Sequence, residues 1–493
     1  MFDNVLRVLT PNYQKLSWQN VLLVLVLVTL FIRFPFFFRD YVDRDESTFI
    51  IMGQSWVNGH LPYTHLWDLK PPITFLFFAS IITIFGKSFI AIRLFGALLV
   101  ALTAFFTYLI GLRVTSPKIS FWSAMGCVCL LSLFGSLQGV MSEHISTFFF
   151  TLGVYILLSK KPMFWHFGAG VLFGLSIMSK LNMAYPLLAL GIYLVWYFVK
   201  EKTLYNGLTR LFLMGLGTAL LIGLTALPYY LEGSFAIWWK SIFEAPIAYS
   251  KSKYHSPLKI LPLVIVVFLF FGITYKKRLL RYNLKTIQVL LVTFLGVVLS
   301  FIQTGKVNGH YLIQLYPFIV VPVGILVDKL PKIKPKFQPL LLFLALLPME
   351  AYLEYGNIIA NRLEKGTFFN GEGVEVPRYL KANDLGNATA FFTEYHIGYW
   401  LMDASPPTVA ATHPSNITRE ELFPYMDNPR ETAMQELRYI LEDIRPKLLI
   451  ARKGKRIFDK KREDLNQYID SYLEAHYILI HTVDSGLIYQ RLD

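Results

Sequence analysis

The sequence predicts a polytopic α-helical membrane domain followed by a C-terminal soluble α/β domain. Of its 493 residues, 54% are hydrophobic and 16% are aromatic, which is unusual for a soluble protein. Apolar runs recur from about residue 19 to residue 353, and many approach the length that crosses about 30 Å of hydrocarbon. Beyond residue 353 charged and polar residues return. We therefore divide the chain into a membrane domain, 1–353, and a C-terminal domain, 354–493.

The net charge of +14 is explained by membrane topology rather than by nucleic-acid binding. Basic loops orient membrane proteins and meet anionic lipid, and no basic-aromatic segment typical of nucleic-acid recognition stands out. The two cysteines, Cys127 and Cys129, lie inside an apolar run, which argues against a disulfide or a metal site. The first apolar run lacks a small-residue cleavage site and predicts a retained span.

Topology depends on the apolar run 73–86, which has about 14 residues and is short for a span. If the run crosses the membrane, every later loop changes side. If it is instead a surface helix in the outer leaflet, the basic residues of the later loops are cytoplasmic, as the positive-inside rule requires. We therefore interpret 73–86 as a surface helix within a first outer loop, 39–88. The basic residues of the later loops that this interpretation places in the cytoplasm are Arg113, Lys118, Lys160, Lys161, Lys200, Lys202, Arg210, Lys276, Lys277, Arg278, Arg281, Lys285, Lys329, Lys332, Lys334 and Lys336.

About eleven spans result, with the N-terminus inside and the C-terminal domain outside. They are 19–38, 89–112, 119–137, 145–159, 163–179, 182–199, 208–230, 257–274, 286–303, 311–328 and 337–353. The outer loop 231–256 breaks the charge rule with Lys240, Lys251 and Lys253. Either a misplaced span or a functional need for positive charge would explain that exception.

This topology gathers polar residues at the outer face. Asp45 and Glu46 follow the first span and precede a segment that predicts an interfacial helix. Adjacent acids beside lipid are costly unless they are hydrated or paired, so they are either solvated loop charges or functional groups. Lys70 precedes two prolines, which hold it in an extended segment. Its ammonium could bind a phosphate or a lipid headgroup.

Later segments bring further polar side chains to the same predicted face. Glu143 lies in a short outer loop, and Lys180 between two spans must face a polar cavity or snorkel. His310, Tyr311 and Gln314 form a polar stripe that predicts a cavity wall, or helix packing. The chain has no Gly-rich phosphate loop, HExxH, GxSxG or zinc-ligand spacing, which argues against soluble-nucleotide chemistry.

The first outer loop resembles that of the GT-C glycosyltransferases, in particular the group related to protein O-mannosyltransferases and to the aminoarabinose transferase of lipid A. The likeness covers about fifty contiguous residues, with the order and spacing of five motifs kept. They are an Asp-Glu pair (Asp45-Glu46), G-x-x-P-Y (Gly59 to Tyr63), W-D-x-K-P-P (Trp67 to Pro72), F-G-x-S (Phe85 to Ser88) and Arg93 at the start of the second span.

Weaker matches follow: the acidic Glu143 in the second outer loop, the glycine-rich run ending in Lys180, and His310-Tyr311 ahead of Pro317. The C-terminal domain carries no such motif and resembles the variable outer domains that these enzymes append.

The resemblance implies a donor made of one sugar on a polyprenyl phosphate, reacting at the outer face with inversion at the anomeric carbon. It implies that Asp45 is the catalytic base, with Glu46 as the alternative and Glu143 as a further acid whose longer side chain departs from the aspartate of some relatives. Asp43 is one more acid nearby. Lys70 inherits the contact with the donor phosphate.

These residue types suit the implied reaction. An attacking hydroxyl needs a base within hydrogen-bond reach, and a phosphate leaves without protonation, so one carboxylate suffices. Lys70, Arg93, Lys180, His310 and Tyr311 could stabilise the negative charge that grows on the leaving phosphate. The scheme needs no metal cofactor, although clustered acids and His310 could bind a divalent cation.

Two other functions use the same location. A transporter or flippase for a lipid-linked sugar would carry charges along a midplane path and often inverted repeats, which the sequence lacks. A polysaccharide polymerase or ligase usually depends on outer-loop arginines. The sequence leaves open the sugar and the acceptor, which could be a lipid, a glycan or a protein. Compactness and the resemblance favour a bacterial inner membrane, with the active site and C-terminal domain extracytoplasmic.

Overall fold

The structure, a computed structural model, describes residues 12–133, 138–159, 162–252, 256–305, 307–329 and 346–492. It is mostly helical and carries a small sheet near its C-terminus, which confirms the predicted fold class. The predicted span 337–353 and the basic residues Lys160, Lys161, Lys253, Lys332, Lys334 and Lys336 lie wholly or mostly outside the described residues.

The described α-helices are numbered in chain order. Those before residue 330 are α1 (Trp18–Arg33), α2 (Arg44–Val57), α3 (Pro72–Phe85), α4 (Phe89–Gly111), α5 (Pro117–Leu130), α6 (Ser142–Leu158), α7 (Trp165–Ile177), α8 (Ala184–Lys200), α9 (Leu204–Leu231), α10 (Phe235–Trp239), α11 (Ala245–Ser252), α12 (Leu261–Lys276), α13 (Lys285–Thr304) and α14 (Tyr316–Asp328). Those after it are α15 (Met349–Lys365), α16 (Glu372–Ala382), α17 (Gly398–Met402), α18 (Ala433–Arg438) and α19 (Glu463–His476).

Among the described residues, six helical segments are long and apolar enough to cross a membrane. They are Trp18–Phe38, Phe89–Gly111, Leu181–Lys200, Leu204–Leu231, Leu258–Lys276 and Lys285–Gln303. Shorter apolar helices are α3, α6, α7 and α14. The predicted surface helix 73–86 therefore exists as α3, while its place in the outer leaflet and the count of eleven spans stay predictions.

Large apolar side chains on two of these helices are exposed, which identifies surfaces made for lipid. Phe212 on α9 is 66% exposed, and Phe268 on α12 is 74% exposed. A water-soluble protein would bury such rings, whereas hydrocarbon solvates them and leaves the backbone bonded within each helix. These helices therefore support an integral membrane protein.

By internal contacts the described chain divides into two compact units. The first unit comprises Met1–Phe34, Arg93–Thr225 and Tyr254–Tyr352, and the second comprises Pro35–Ile92, Ala226–Lys253 and Leu353–Asp493. Helix α15 runs without a break through the predicted domain boundary at residue 353. The second unit thus contains both the first outer loop and the C-terminal part of the chain, Leu353–Asp493, which we call the C-terminal chain.

Close helix packing builds the first unit. A Cβ placed on Gly170 of α7 would collide with the Met214 carbonyl oxygen on α9. The Thr218 hydroxyl donates to the Gly170 carbonyl at 3.0 Å across the same contact. Small residues let membrane helices approach in this way, so van der Waals contact and hydrogen bonding replace the missing hydrophobic drive.

The sheet of the second unit has the strand order β1-β2-β4-β3. The strands are β1 (Ala390–Phe392), β2 (Leu448–Arg452), β3 (Tyr477–Val483) and β4 (Gly486–Arg491). Strands β1 and β2 are parallel, and the other two pairings are antiparallel. Phe391 and Leu449 of the sheet pack in one core with Leu437, Leu465 and Ile469 from the helices. The C-terminal chain is therefore an α/β structure, as predicted.

Candidate active site

Asp43 begins helix α2 and explains why Asp45 stands in its first turn. The Asp43 Oδ1 accepts a hydrogen bond from the Asp45 amide at 2.8 Å, as an N-cap aspartate does. Its carboxylate therefore caps the start of the helix. The Asp45 carboxylate lies at the positive end of the helix dipole, which favours its charged form.

Two side chains from distant parts of the sequence approach the Asp45 carboxylate. The Lys70 Nζ lies 3.0 Å from Oδ2, and the His413 Nε2 lies 3.5 Å from Oδ1. The Asp45 side chain is 23% exposed, whereas Glu46 beside it is 1% exposed. The structure therefore presents Asp45, and not Glu46, to incoming molecules. We call Asp45, Lys70 and His413 the Asp45 cluster.

The backbone of Lys70 is fixed from both sides. Its amide donates to the buried Asp68 at 3.2 Å, and its carbonyl accepts from the Tyr63 hydroxyl at 2.6 Å. The ammonium lies 5.2 Å from the centre of the Phe49 ring on α2. Pro72 at the first position of α3 then directs the chain away. The W-D-x-K-P-P motif is thus a brace that points one lysine at Asp45.

The G-x-x-P-Y motif supports that brace from the other side. Gly59 has φ 94°, a left-handed value that favours glycine, and it lets the chain turn after α2. The Pro62 carbonyl accepts from the Tyr229 hydroxyl at 3.1 Å, and the Trp67 Nε1 donates to Ser241 at 3.0 Å. Both partners come from residues 226–253 of the same unit.

The C-terminal chain grips helix α2 through side chains that the sequence did not single out. Glu394, with a side chain only 6% exposed, accepts from Arg44 at 2.6 Å and from Lys455 at 2.8 Å. The His396 Nε2 lies 3.0 Å from the Thr48 hydroxyl, which itself donates to the Arg44 carbonyl at 3.0 Å. These residues follow no local motif, so no sequence signal distinguished them.

His396 is held in its neutral form. Burial lowers its pKa well below the usual range, and the nearby His413 and Arg44 lower that pKa further. The Thr48 hydroxyl donates its one hydrogen to the Arg44 carbonyl, so Nε2 of His396 must be the donor in the contact with Thr48. A neutral imidazole therefore joins the C-terminal chain to the helix that carries Asp45.

A second group of charges lies in the first unit, centred on Glu143. The predicted loop position of Glu143 is wrong: the residue lies in the first turn of α6, which begins at Ser142. The helix starts this early because the Met141 amide donates to His144 at 3.1 Å. Arg33 braces the preceding segment by donating to the Gln138 and Gly139 carbonyls at 2.9 and 2.7 Å.

The Glu143 carboxylate is fully buried and lies beside a lysine and a histidine. The Lys180 Nζ lies 2.7 Å from its Oε1, and the His310 Nε2 lies 3.9 Å away. The Lys180 ammonium also lies 4.8 Å from the centre of the Tyr311 ring. We call Glu143, Lys180, His310 and Tyr311 the Glu143 cluster. The structure thus brings together four of the side chains that the sequence singled out.

The helix boundaries near this cluster differ from those of the predicted span 311–328. His310 and Tyr311 lie in a 3₁₀ helix, Gly309–Gln314, and α14 begins only at Tyr316 because Pro317 fits the first helical turn. Gln314 and Asn182 exchange two amide hydrogen bonds of 2.8 and 2.9 Å. Gln314 therefore pairs with another helix segment, as the packing hypothesis for the polar stripe predicted.

Arg93 lies near the start of α4 and is fully buried. It belongs to the first unit, together with the Glu143 cluster. Within the described residues, no group of three or more His, Cys, Asp or Glu side chains is placed to hold a metal ion. What the two clusters offer is a partly exposed carboxylate beside a cation, and a buried carboxylate holding a second cation.

Comparisons with known proteins agree with this architecture. Residues 69–229 match the family described as dolichyl-phosphate-mannose-protein mannosyltransferase. No curated protein matches the chain significantly. The matched segment contains Arg93, Lys70 of the Asp45 cluster, and Glu143 and Lys180 of the Glu143 cluster.

Among solved structures, the chain is similar to ArnT from Cupriavidus metallidurans. The apo state has 12% sequence identity and a TM-score of 0.54, and the structure bound to undecaprenyl phosphate has 14% and 0.51. Each match covers 96% of this chain and 97% of that chain. The likeness shows a shared fold and confirms the predicted resemblance to the GT-C type. Together with the family match, it indicates a membrane glycosyltransferase.

Proposed function

We propose that the protein transfers a single sugar from a polyprenyl phosphate to an acceptor hydroxyl, with inversion, at the extracytoplasmic face of a bacterial inner membrane. The observation that carries the proposal is the Asp45–Lys70 pair: a partly exposed carboxylate 3.0 Å from an ammonium held by a rigid turn. A base and a phosphate-binding cation are the two groups that such a transfer needs.

In the proposed reaction the acceptor oxygen attacks the anomeric carbon from the face opposite the phosphate. The hydroxyl proton passes to the Asp45 carboxylate as the new carbon–oxygen bond forms. The bond from the anomeric carbon to the phosphate oxygen breaks, and its electron pair leaves with the polyprenyl phosphate. A single displacement of this kind inverts the anomeric centre and needs only one carboxylate.

Exposure and contacts favour Asp45 as the base over its neighbours. Glu46 is 1% exposed, and the Asp43 carboxylate caps helix α2. Lys70 is the proposed contact to the donor phosphate, because its ammonium can shift from Asp45 to a phosphate without moving its braced backbone. The negative charge that grows on the leaving group then meets a preplaced cation.

The Glu143 cluster has a supporting role in this proposal. Arg93, Lys180, His310 and Tyr311 are proposed ligands of the donor phosphate, as the family resemblance implies. Glu143, 2.7 Å from Lys180 and fully buried, is proposed to hold that lysine in place rather than to transfer a proton. A polyprenyl-phosphate donor agrees with the undecaprenyl phosphate bound in the similar ArnT structure.

The test measures release of polyprenyl phosphate from a panel of polyprenyl-phosphate sugars by membranes that carry the protein. We expect wild type to consume at least one donor, and Asp45→Asn to lose about 10²- to 10⁴-fold in rate, as the loss of a general base does. Asp43→Asn is the matched control, because asparagine caps a helix as well as aspartate does. It should retain activity, and EDTA should leave the wild-type rate unchanged.

A different outcome would identify the rival function. If no donor is consumed but one crosses the bilayer, and Asp45→Asn still moves it, the protein is a transporter and the proposal fails. Equal activity of Asp45→Asn and wild type would remove Asp45 as the base.

A further inference from the structure

We propose that His413, contributed by the C-terminal chain, is a positioning residue for Asp45: its Nε2–H holds the carboxylate when the donor phosphate draws Lys70 away. The inference rests on the proposed function and deepens it. It assigns the C-terminal chain a direct part in the active site, although that chain carries no recognisable motif.

Geometry fixes which nitrogen of His413 carries the proton. The Ser415 amide donates to Nδ1 at 3.1 Å, and the Ser415 hydroxyl lies 2.8 Å from the same atom. A backbone N–H can only donate, so Nδ1 is an acceptor and carries no hydrogen. The ring hydrogen therefore lies on Nε2, the atom 3.5 Å from Asp45 Oδ1.

The same contact holds Nδ1 of His413 as a hydrogen-bond acceptor. A proton on Nδ1 would meet the Ser415 amide hydrogen, and the loss of that bond would leave an amide without its acceptor. The ring centre of His396 lies 5.9 Å from that of His413. Asp45 therefore faces the Lys70 ammonium with one oxygen and the His413 Nε2–H with the other.

This asymmetry suits a base. A cation beside a carboxylate lowers its proton affinity more strongly than a neutral hydrogen-bond donor does. When a donor phosphate attracts the Lys70 ammonium, Asp45 loses the cation and becomes more basic, yet it still needs an orienting contact. His413 supplies one: the 3.5 Å separation is longer than a formed hydrogen bond, and such contacts tighten in the reacting complex.

The segment that carries His413 is built to hold it still. Thr408 caps the 3₁₀ turn Val409–Thr412 and donates to the buried Glu436. Asn416 is fully buried and accepts from Arg419 at 2.9 Å. The side chain of His413 is only 9% exposed. A purely structural histidine would also be buried, so the test must separate positioning from packing.

The first experiment compares His413→Leu with His413→Gln, using the polyprenyl-phosphate sugar that wild type consumes. Gln keeps an N–H donor near the position of Nε2, whereas Leu fills space without one. We expect Leu to lower kcat by about 10- to 100-fold with little change in KM for the donor, and Gln to keep most of the rate. The acidic limb of the Leu profile should move to higher pH, because a donor to the charged carboxylate is lost.

Equal rates and pH profiles for Leu and wild type would overturn the inference while leaving the proposed function intact. An equal loss in Leu and Gln with an unmoved acidic limb would mean packing only, and would overturn it as well. Failure of wild type on every donor would instead count against the proposed function.

A second measurement does not depend on turnover. In protein with ¹⁵N-labelled histidine, the signal absent from His413→Gln belongs to His413. We expect a neutral ring protonated at Nε2, with its Nε2 resonance shifted in Asp45→Asn. A ring protonated at Nδ1, or one that does not respond to Asp45→Asn, would refute the positioning contact.

Discussion

The Asp45 and Glu143 clusters combine the same residue types, a carboxylate with a lysine and a histidine, in opposite environments. Asp45 is 23% exposed and Lys70 18% exposed, while Glu143 is fully buried and Lys180 13% exposed. A partly exposed pair contributes less to stability and can exchange partners, whereas a buried pair is costly to separate. This difference in burial favours a catalytic role for the Asp45 cluster in the proposed reaction. It favours a positioning role for Glu143, which holds Lys180.

The largest effect that we expect is on stability, from Glu143→Gln. Removing the negative charge leaves the Lys180 ammonium without its partner in a buried site, so the free energy of unfolding should fall by about 3–5 kcal/mol. Asp45→Asn should cost no more than about 1 kcal/mol, because its pair is partly exposed. The measurement is the thermal unfolding midpoint of purified protein in detergent.

The double variant Glu143→Gln with Lys180→Met is the control for this comparison. Removing both charges should recover much of the lost stability, since no unpaired ion remains. If Glu143→Gln and Asp45→Asn lower the midpoint equally, burial does not distinguish the two clusters.

The next largest effect is on rate, from Lys70→Met. Removing the cation proposed to meet the donor phosphate should lower kcat by about 10²- to 10³-fold. Lys87→Met is the matched control in the same loop, because Lys87 pairs with Asp403 and donates to the Trp400 carbonyl at 2.5 Å. Donor consumption by both variants, at equal amounts of folded protein, is the measurement. Similar rates for the two would remove Lys70 from the mechanism.

A smaller effect should appear in the pH dependence of stability, to which His396 contributes. Because burial depresses its folded pKa, the unfolded chain binds a proton that the folded protein does not, and stability is lost as pH falls below about 6.5. Between about pH 7.5 and 5.5 this single group should remove about 1.4 kcal/mol. His396→Gln should flatten that part of the curve of unfolding midpoint against pH. An unchanged slope would show that His396 is charged in the folded protein.

The smallest effect concerns the turn that braces Lys70. Gly59→Ala forces an alanine to adopt φ 94° and should cost about 1 kcal/mol or slightly more. Gly126→Ala is the control: it lies in α5 with open space around its Cβ position and should be neutral or stabilising by about 0.5–1 kcal/mol. Comparing their unfolding midpoints tests whether the loss of stability comes from the left-handed conformation at Gly59 or from replacing any glycine.

Local patterns predicted a substantial part of this molecule. Apolar runs located most helices, because hydrocarbon requires continuous apolar sequence with its backbone bonded internally. The pre-proline position of Lys70 predicted its extended conformation, and the structure adds the Tyr63 and Asp68 bonds that fix it. Helix ends were less accurate. Glu143 was placed in a loop because a buried acid looks like an interruption in an apolar run.

Composition and motif spacing alone were enough to establish a membrane-embedded helical protein, an appended α/β domain, and Asp45 and Lys70 as candidates. The tertiary structure decided that Asp45 is partly exposed, that Asp43 caps helix α2 and that Glu143 pairs with Lys180. Carboxylates of the same chemistry acquire such different roles only from their neighbours. The tertiary structure also brought His413 and His396 to helix α2, from a chain segment hundreds of residues away. Such pairings depend on the packing of whole elements, and no local sequence pattern encodes them.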